Sequence, residues 1–183
     1  IALEEVRNFT WHVLCDQYIE AVKDRLYRKE IYGEEKRKAA QYTLYNAIFR
    51  ILQLLAPFIP HITEEIYQVM YAEKKKYKSI HSSPWPSPIK EHINKEAETF
   101  GDMAIALIAA VRREKAEKRL PLNAEVKRLK VYVSTEKTAE MIRKAEGDIR
   151  GACKIKEMEV LFSEEEGKTV EGFPEMRFVT EYG

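Results

Sequence analysis

Residues 54–67 read Leu54-Leu55-Ala56-Pro57-Phe58-Ile59-Pro60-His61-Ile62-Thr63-Glu64-Glu65-Ile66-Tyr67. An apolar helical run meets Pro57, a second proline follows at Pro60, and a new pattern opens on Glu64 and Glu65. Proline lacks an N–H and its ring clashes with the preceding turn, so neither belongs in a helix interior. Paired glutamates suit the positive end of a helix dipole. The stretch therefore predicts a rigid corner between two packed helices, with His61 at the corner capping or bonding backbone.

Working outward, a helix is predicted from near Glu35 to Ala56. Its stripe is Leu44, Ile48, Ile51 and Leu55, widened by Tyr45, Phe49 and Leu52. So broad an apolar arc marks a central helix, with Ile48, Ile51 and Leu55 expected to be fully buried. Upstream, Cys15, Ile19, Val22 and Leu26 share one helical face, and that helix should end before Gly33. Downstream, a third helix is expected from about Thr63 to Lys75. A linker then runs from Tyr77 to Ile93 and holds Pro84, Pro86 and Pro88. A fourth helix, capped by Asn94, carries Phe100, Met103, Leu107 and Val111 and is stopped by Pro121.

Beyond Pro121 the periodicity changes. Val126, Leu129, Val131 and Val133 predict a strand, Ser134 or Thr135 a cap, and Ala139, Ile142 and Ile149 a helix. Ile155, Met158, Val160 and Phe162 predict a second strand. Glu164 to Gly167 read as a turn before Thr169 and Val170, and Met176, Phe178 and Val179 as a last edge strand. The expected fold is mainly α: a helical bundle over residues 1–122, then a small α+β subdomain over 123–183.

Composition permits this without selecting a function. Of 183 residues, 33% are charged and 45% hydrophobic, as in a soluble globular protein. The net charge of +1 gives no global pull on nucleic acid, so any such affinity must come from local patches. The apolar runs are too short for a membrane span. No signal peptide is visible. Cys15 and Cys153 lack metal or CxxC spacing and read as reduced thiols of a cytoplasmic protein. A chain opening on Ile1 inside a helical pattern reads as part of a longer protein.

Several stretches resemble one family. LeuLeuAlaProPheIleProHisIleThrGluGlu, Leu54 to Glu65, is similar to a motif of class I aminoacyl-tRNA synthetases for leucine, isoleucine and valine. Phe9 to Tyr27, with Trp11, Cys15, Asp16, Tyr18, Ile19, Glu20, Lys23, Arg25 and Leu26, resembles the valyl-tRNA synthetase version. Ser79 to Pro86 and Val111 to Ala124 are similar to two further passages of it, the latter in its archaeal type. The resemblance implies the helical anticodon-binding domain near the C-terminal end of such an enzyme. The implied partners are the valine-accepting tRNA and the rest of the synthetase chain, with no membrane, and the protein is expected to be a monomer. The implied parent attaches valine to tRNA using ATP and Mg. No cofactor or metal is expected on this chain, because the HisxGlyHis and LysMetSerLysSer adenylation motifs, Gly-rich phosphate loops and nucleophile–base pairs do not occur in it. Two other readings are the same domain of an isoleucyl- or leucyl-tRNA synthetase, and a helical protein-interaction scaffold without RNA.

Candidate RNA contacts follow from charge and shape. Unpaired bases are recognised by aromatic faces, guanidinium planes and edge hydrogen bonds. Arg25, Tyr27, Arg28 and Lys29, with Tyr32 nearby, supply this mix at the end of the first helix. Arg112, Arg113, Lys115 and Arg119 begin a basic stretch that extends to Lys130, and its density suits phosphates. The plainer readings are kept beside these. Trp11 and Trp85 read as core or linker anchors, Asp16, Glu20 and Lys23 as intrahelical or buried pairs, and Lys74, Lys75, Lys76 and Lys78 as a solvated helix end.

Overall fold

The computed structural model describes residues 1–162 and 167–183. The predicted turn at Glu164 to Glu166 lies outside these residues. Seven α-helices and four strands are described: α1 (Ala2–Asn8), α2 (Glu20–Tyr27), α3 (Lys29–Tyr32), α4 (Glu34–Leu55), α5 (Pro60–Met70), α6 (Lys95–Glu117), β1 (Val126–Val133), α7 (Glu136–Cys153), β2 (Ile155–Phe162), β3 (Lys168–Val170) and β4 (Phe173–Tyr182). A wide-turned π-helical segment, Phe9–Ile19, joins α1 to α2. The chain divides into two compact units, residues 1–17 with 33–93 and residues 18–32 with 94–183. This division differs from the boundary at residue 122, because α2 and α6 both pack on α7 in the second unit.

In the first unit the Pro57/Pro60 corner forms as read. Pro60 itself opens α5, since a proline at the first helical position loses no hydrogen bond and has a suitable φ. Helix α5 starts earlier and ends earlier than expected. The core is Phe49, Leu52, Ala56, Tyr67, Tyr71 and Ile80, with Tyr45 and Ile48 against it. Tyr45 and Phe49 lie 4.6 and 5.1 Å from the Tyr71 ring centroid. Of the expected stripe, only Ile51 is fully buried; Ile48 and Leu55 are half-buried. Phe49 packs against the Tyr67 and Tyr71 rings, and Phe49 and Leu52 are buried in their place. Glu64 fastens the linker, accepting from Ser79 Oγ at 2.8 Å and the Ile80 N–H at 3.0 Å. Gln53 donates to Ser83 Oγ and Pro84 O at 3.0 and 2.9 Å. The His61 side chain is exposed and makes no hydrogen bond among the described residues, and Trp11 and Trp85 are exposed rather than anchored.

In the second unit Asn94 caps α6, accepting from the N–H groups of Glu96 and Ala97, and Thr135 caps α7. The sheet order is β2-β1-β4-β3, with β1 and β2 parallel around the α7 crossover. Strand β4 is interior, paired with both β1 and β3, not the predicted edge. Its alternation was obscured because Phe173, Met176, Phe178 and Val179 are interleaved with Glu175, Arg177 and Glu181. The core of this unit includes Leu107 and Val111 from α6, Leu129 and Val131 from β1, and Ile142 and Ile149 from α7.

Candidate nucleic-acid interface

All eight candidate residues fall in the second unit. Helix α2 buries Ala21 and Val22, and α2 and α3 approach α7 closely enough that side chains at two α7 positions would collide with them. A Cβ on Gly151 would lie 2.5 Å from the Asp24 Cβ, and one on Gly147 would lie 2.8 Å from the Tyr32 ring. Asp24 is 7% exposed and sits among Tyr32 OH at 2.9 Å, Arg28 Nη1 at 3.3 Å and Lys154 Nζ at 3.7 Å. Burial, then the Asp24 carboxylate, pushes the Tyr32 phenol above its usual range.

The end of α2 divides by role. The Arg25 guanidinium is 2.8 Å from Asp148 Oδ2 and mostly enclosed, so it is bound into the packing of α2 on α7. Arg28 is half-exposed, and Tyr27 is 84% exposed. Lys29 is exposed with no acidic partner among the described residues.

Helix α6 divides likewise. Arg112 Nη2 bonds Glu20 Oε2 at 2.7 Å, and Lys23 bonds the same oxygen at 2.6 Å. The Lys23 hydrogen bond is the main reason that the Glu20 carboxyl lies below its usual range; partial burial opposes it and Arg112 adds to it. Arg113 is well exposed and 2.8 Å from Glu171. Lys115 is fully buried. Its ammonium donates to the carbonyls of Leu122 at 3.1 Å, Ala124 at 2.6 Å and Cys153 at 2.7 Å. Three donors meet three acceptors, so Lys115 keeps no N–H for a phosphate. Burial also lowers its pKa. Arg119 is exposed at a left-handed φ of 56°. Its N–H bonds Ala116 O at 3.0 Å and the Leu120 N–H bonds Lys115 O at 2.8 Å, the paired bonds of a Schellman helix end.

Charge counting treated these residues alike. The fold leaves Tyr27, Arg28, Lys29, Arg113 and Arg119 facing solvent, pairs Arg25 and Arg112 with acids, and places Lys115 inside. Sequence reasoning passed over Lys154 and Lys156. The parallel register Val126↔Ile155 puts Lys127 and Lys156 on neighbouring strands, so the predicted strand–helix–strand order was the signal for them. Two clefts open there. One, of about 310 Å³, includes Arg28, Ile31, Tyr32, Arg150, Lys154 and Lys156 in its lining. The other, of about 480 Å³, includes Leu120, Lys127 and Tyr182. Glu125 and Lys156 line both, and are themselves paired at 2.8 Å. Arg113 lines a separate, smaller cleft with Lys168 and Glu171.

Among the described residues no group of three or more His, Cys, Asp or Glu is placed to hold a metal ion. No described helix is long and apolar enough to cross a membrane.

The family model for the anticodon-binding domain of tRNA ligases matches residues 1–133. The chain is 38% identical over 160 residues to a valine–tRNA ligase of Pyrococcus furiosus, covering 87% of this chain and 17% of that protein. Over 154 residues it is 43% identical to the valine–tRNA ligase of Methanothermobacter thermautotrophicus, covering 84% of this chain and 17% of the relative. The valine–tRNA ligase of Methanococcus maripaludis is 40% identical over 161 residues, 85% of this chain and again 17% of the relative. The chain thus spans about a sixth of the length of the curated relatives that it matches, 17% in each of these three.

Proposed function

The chain belongs to the family of tRNA-ligase anticodon-binding domains, and on that premise we propose that it grips the anticodon stem and loop of a valine tRNA on behalf of a cytoplasmic valine–tRNA ligase. The observation that carries this reading is the exposed end of α2. There Tyr27, Arg28 and Lys29 project an aromatic face, a guanidinium and an ammonium inside the matched residues. Such a set stacks on and bonds unpaired bases. Arg113 and Arg119 supply phosphate contacts near the end of α6. ATP, magnesium and the joining of valine to tRNA belong to other parts of the ligase. This chain does no bond chemistry; it positions the RNA. The exposed apolar residues Phe58, Ile59, Ile62 and Val69, around the corner and along α5, suit contact with another part of that ligase chain.

The test is a titration of the 183-residue chain with RNA hairpins that differ only in the anticodon. Tyr27→Ala should cost about 1–3 kcal/mol for the valine anticodon, the range for one stacked base, and less for the others. Arg119→Ala should weaken every hairpin alike and flatten the salt dependence. Absence of salt-sensitive hairpin binding by the unaltered chain would overturn the proposal. Equal affinity for an isoleucine or leucine anticodon would move the chain to a sister enzyme.

A further inference from the structure

We propose that the α+β part forms the middle of an RNA track, in which the two adjoining clefts hold an unpaired stretch of RNA and Lys127, Lys154 and Lys156 contact its backbone phosphates. The inference rests on the RNA-binding reading above and assigns a role to Lys127, near the end of the family match, and to Lys154 and Lys156, which the match, ending at residue 133, does not reach.

The geometry carries it in three steps. First, the two clefts are one groove, because Glu125 and Lys156 line both. Each is of the size that takes a small molecule or a single nucleotide. Second, the groove connects the two basic helix ends. Arg28, from the end of α2, lines one cleft, and Leu120, next to Arg119 at the end of α6, lines the other. What lies between them is β1, β2 and the end of α7. Third, the lining suits nucleotides. In the lining the cations Arg28, Arg150, Lys154, Lys156 and Lys127 outnumber the acids Asp24, Glu125 and Glu157, and Arg150 is also paired with Glu146 at 3.2 Å. A groove with excess cations and flat or apolar walls such as Ile31 and Tyr182 follows a single-stranded backbone with little regard to sequence.

A plainer account reaches part of this. Arg150 and Lys154 stand at the C-terminal end of α7, where cations neutralise the helix dipole. That account does not reach Lys127 and Lys156, which stand on strands. Lys127 has no acidic partner among the described residues, and Lys156 has a well-exposed side chain. Lys154 is also a poor residue for its backbone, which is left-handed at φ 57°, where glycine is the residue without a steric cost.

That backbone supplies a discriminating variant. Lys154→Gly relieves the backbone but removes the charge beside Asp24 and the end of α7, so urea unfolding reads the structural balance separately from binding. A purely structural lysine predicts unchanged RNA binding by the folded variant, whereas the proposal predicts weaker binding whatever the change in stability. The measurements are hairpin affinity at several salt concentrations and urea unfolding, for the full chain and for Lys154→Gly, the pair Lys127→Ala with Lys156→Ala, and the control Lys144→Ala on α7 outside the groove. For a single-stranded segment, each lost phosphate contact should flatten the log–log salt slope by about 0.7, with roughly a tenfold affinity loss for the double variant at low salt. If the unaltered chain binds hairpins and the groove variants bind like it, the track is overturned and the proposed function stands. If Lys144→Ala weakens binding as much as the double variant, the track is also overturned, since general charge then accounts for the loss. If the unaltered chain binds no hairpin, both fall.

Discussion

Replacing Lys115 by Met separates a brace from a ligand. The substitution keeps an unbranched side chain, one atom shorter, and removes three hydrogen bonds. The bond to Cys153 O is fully buried, while those to Leu122 O and Ala124 O are partly buried. The Cys153 carbonyl is left without its donor, which costs about 1–3 kcal/mol. Water can reach the other two carbonyls, so each loses only the net worth of a charge-assisted bond, about 1 kcal/mol or somewhat more. Relief from burying an ammonium offsets part of this, the same burial that lowers the Lys115 pKa. The balance is a destabilisation of roughly 2–4 kcal/mol. With a urea m-value of about 2 kcal/mol per molar, the midpoint should fall by about 1–2 M with the slope unchanged. Below the transition, the variant should bind hairpin RNA like the parent. A midpoint within about 0.25 M of the parent, together with weakened RNA binding in the folded state, would refute the reasoning and make Lys115 a phosphate ligand after all.

Two further outcomes follow from the packing. Gly151→Ala should destabilise by about 1–3 kcal/mol, because its methyl displaces Asp24 and with it the Tyr32 and Arg28 contacts; urea unfolding reads the loss, and a neutral result would mean α2 and α7 can separate cheaply. Glu114 is buried, which raises its pKa, yet the Thr180 hydroxyl, the Lys118 hydrogen bond and the Lys118 and Lys168 charges outweigh that and hold the carboxyl below the usual 4.5. Its folded pKa is depressed, so its contribution is complete above pH 4.5 and is lost as the pH falls through the folded value. Glu114→Gln should therefore flatten the acid limb of the stability–pH curve, measured by urea midpoints from neutral pH downward.

The helices were legible because their signals are local. Prolines at 57 and 60 end and begin helices by sterics alone, and Asn94 and Thr135 cap where their side chains predict. The site was less legible because charge has no address in a linear sequence. Arg25 and Arg28 are three residues apart, yet one meets Asp148 on a distant helix and the other stays half-exposed beside Asp24, one turn back in its own chain. Lys115 and Arg113 look interchangeable on a helix end. The first lies beneath carbonyls that only the completed fold brings together. Burial of Phe49 and Leu52 over Ile48 and Leu55 was likewise decided by a partner, the aromatic pair Tyr67 and Tyr71, that periodicity within α4 does not contain.

The crossing between the two compact units inside a helix bears on synthesis. Residues 18–32 leave the ribosome well before their partner, because the α7 backbone that receives Tyr32 at Gly147 lies 115 residues later. Residues 33–93 can complete the first unit in the interval, since its partners are already in hand by Ile93. Helix α2 must meanwhile wait with Val22 and Asp24 uncovered. Closing so long a loop is entropically expensive and slow, and half-made chains with exposed helix faces are the species that aggregate. A chain cut at residue 122 would hold α2 in that waiting state permanently, so the segment from β1 onward acts as the late half of a core whose early half is translated about a hundred residues before it.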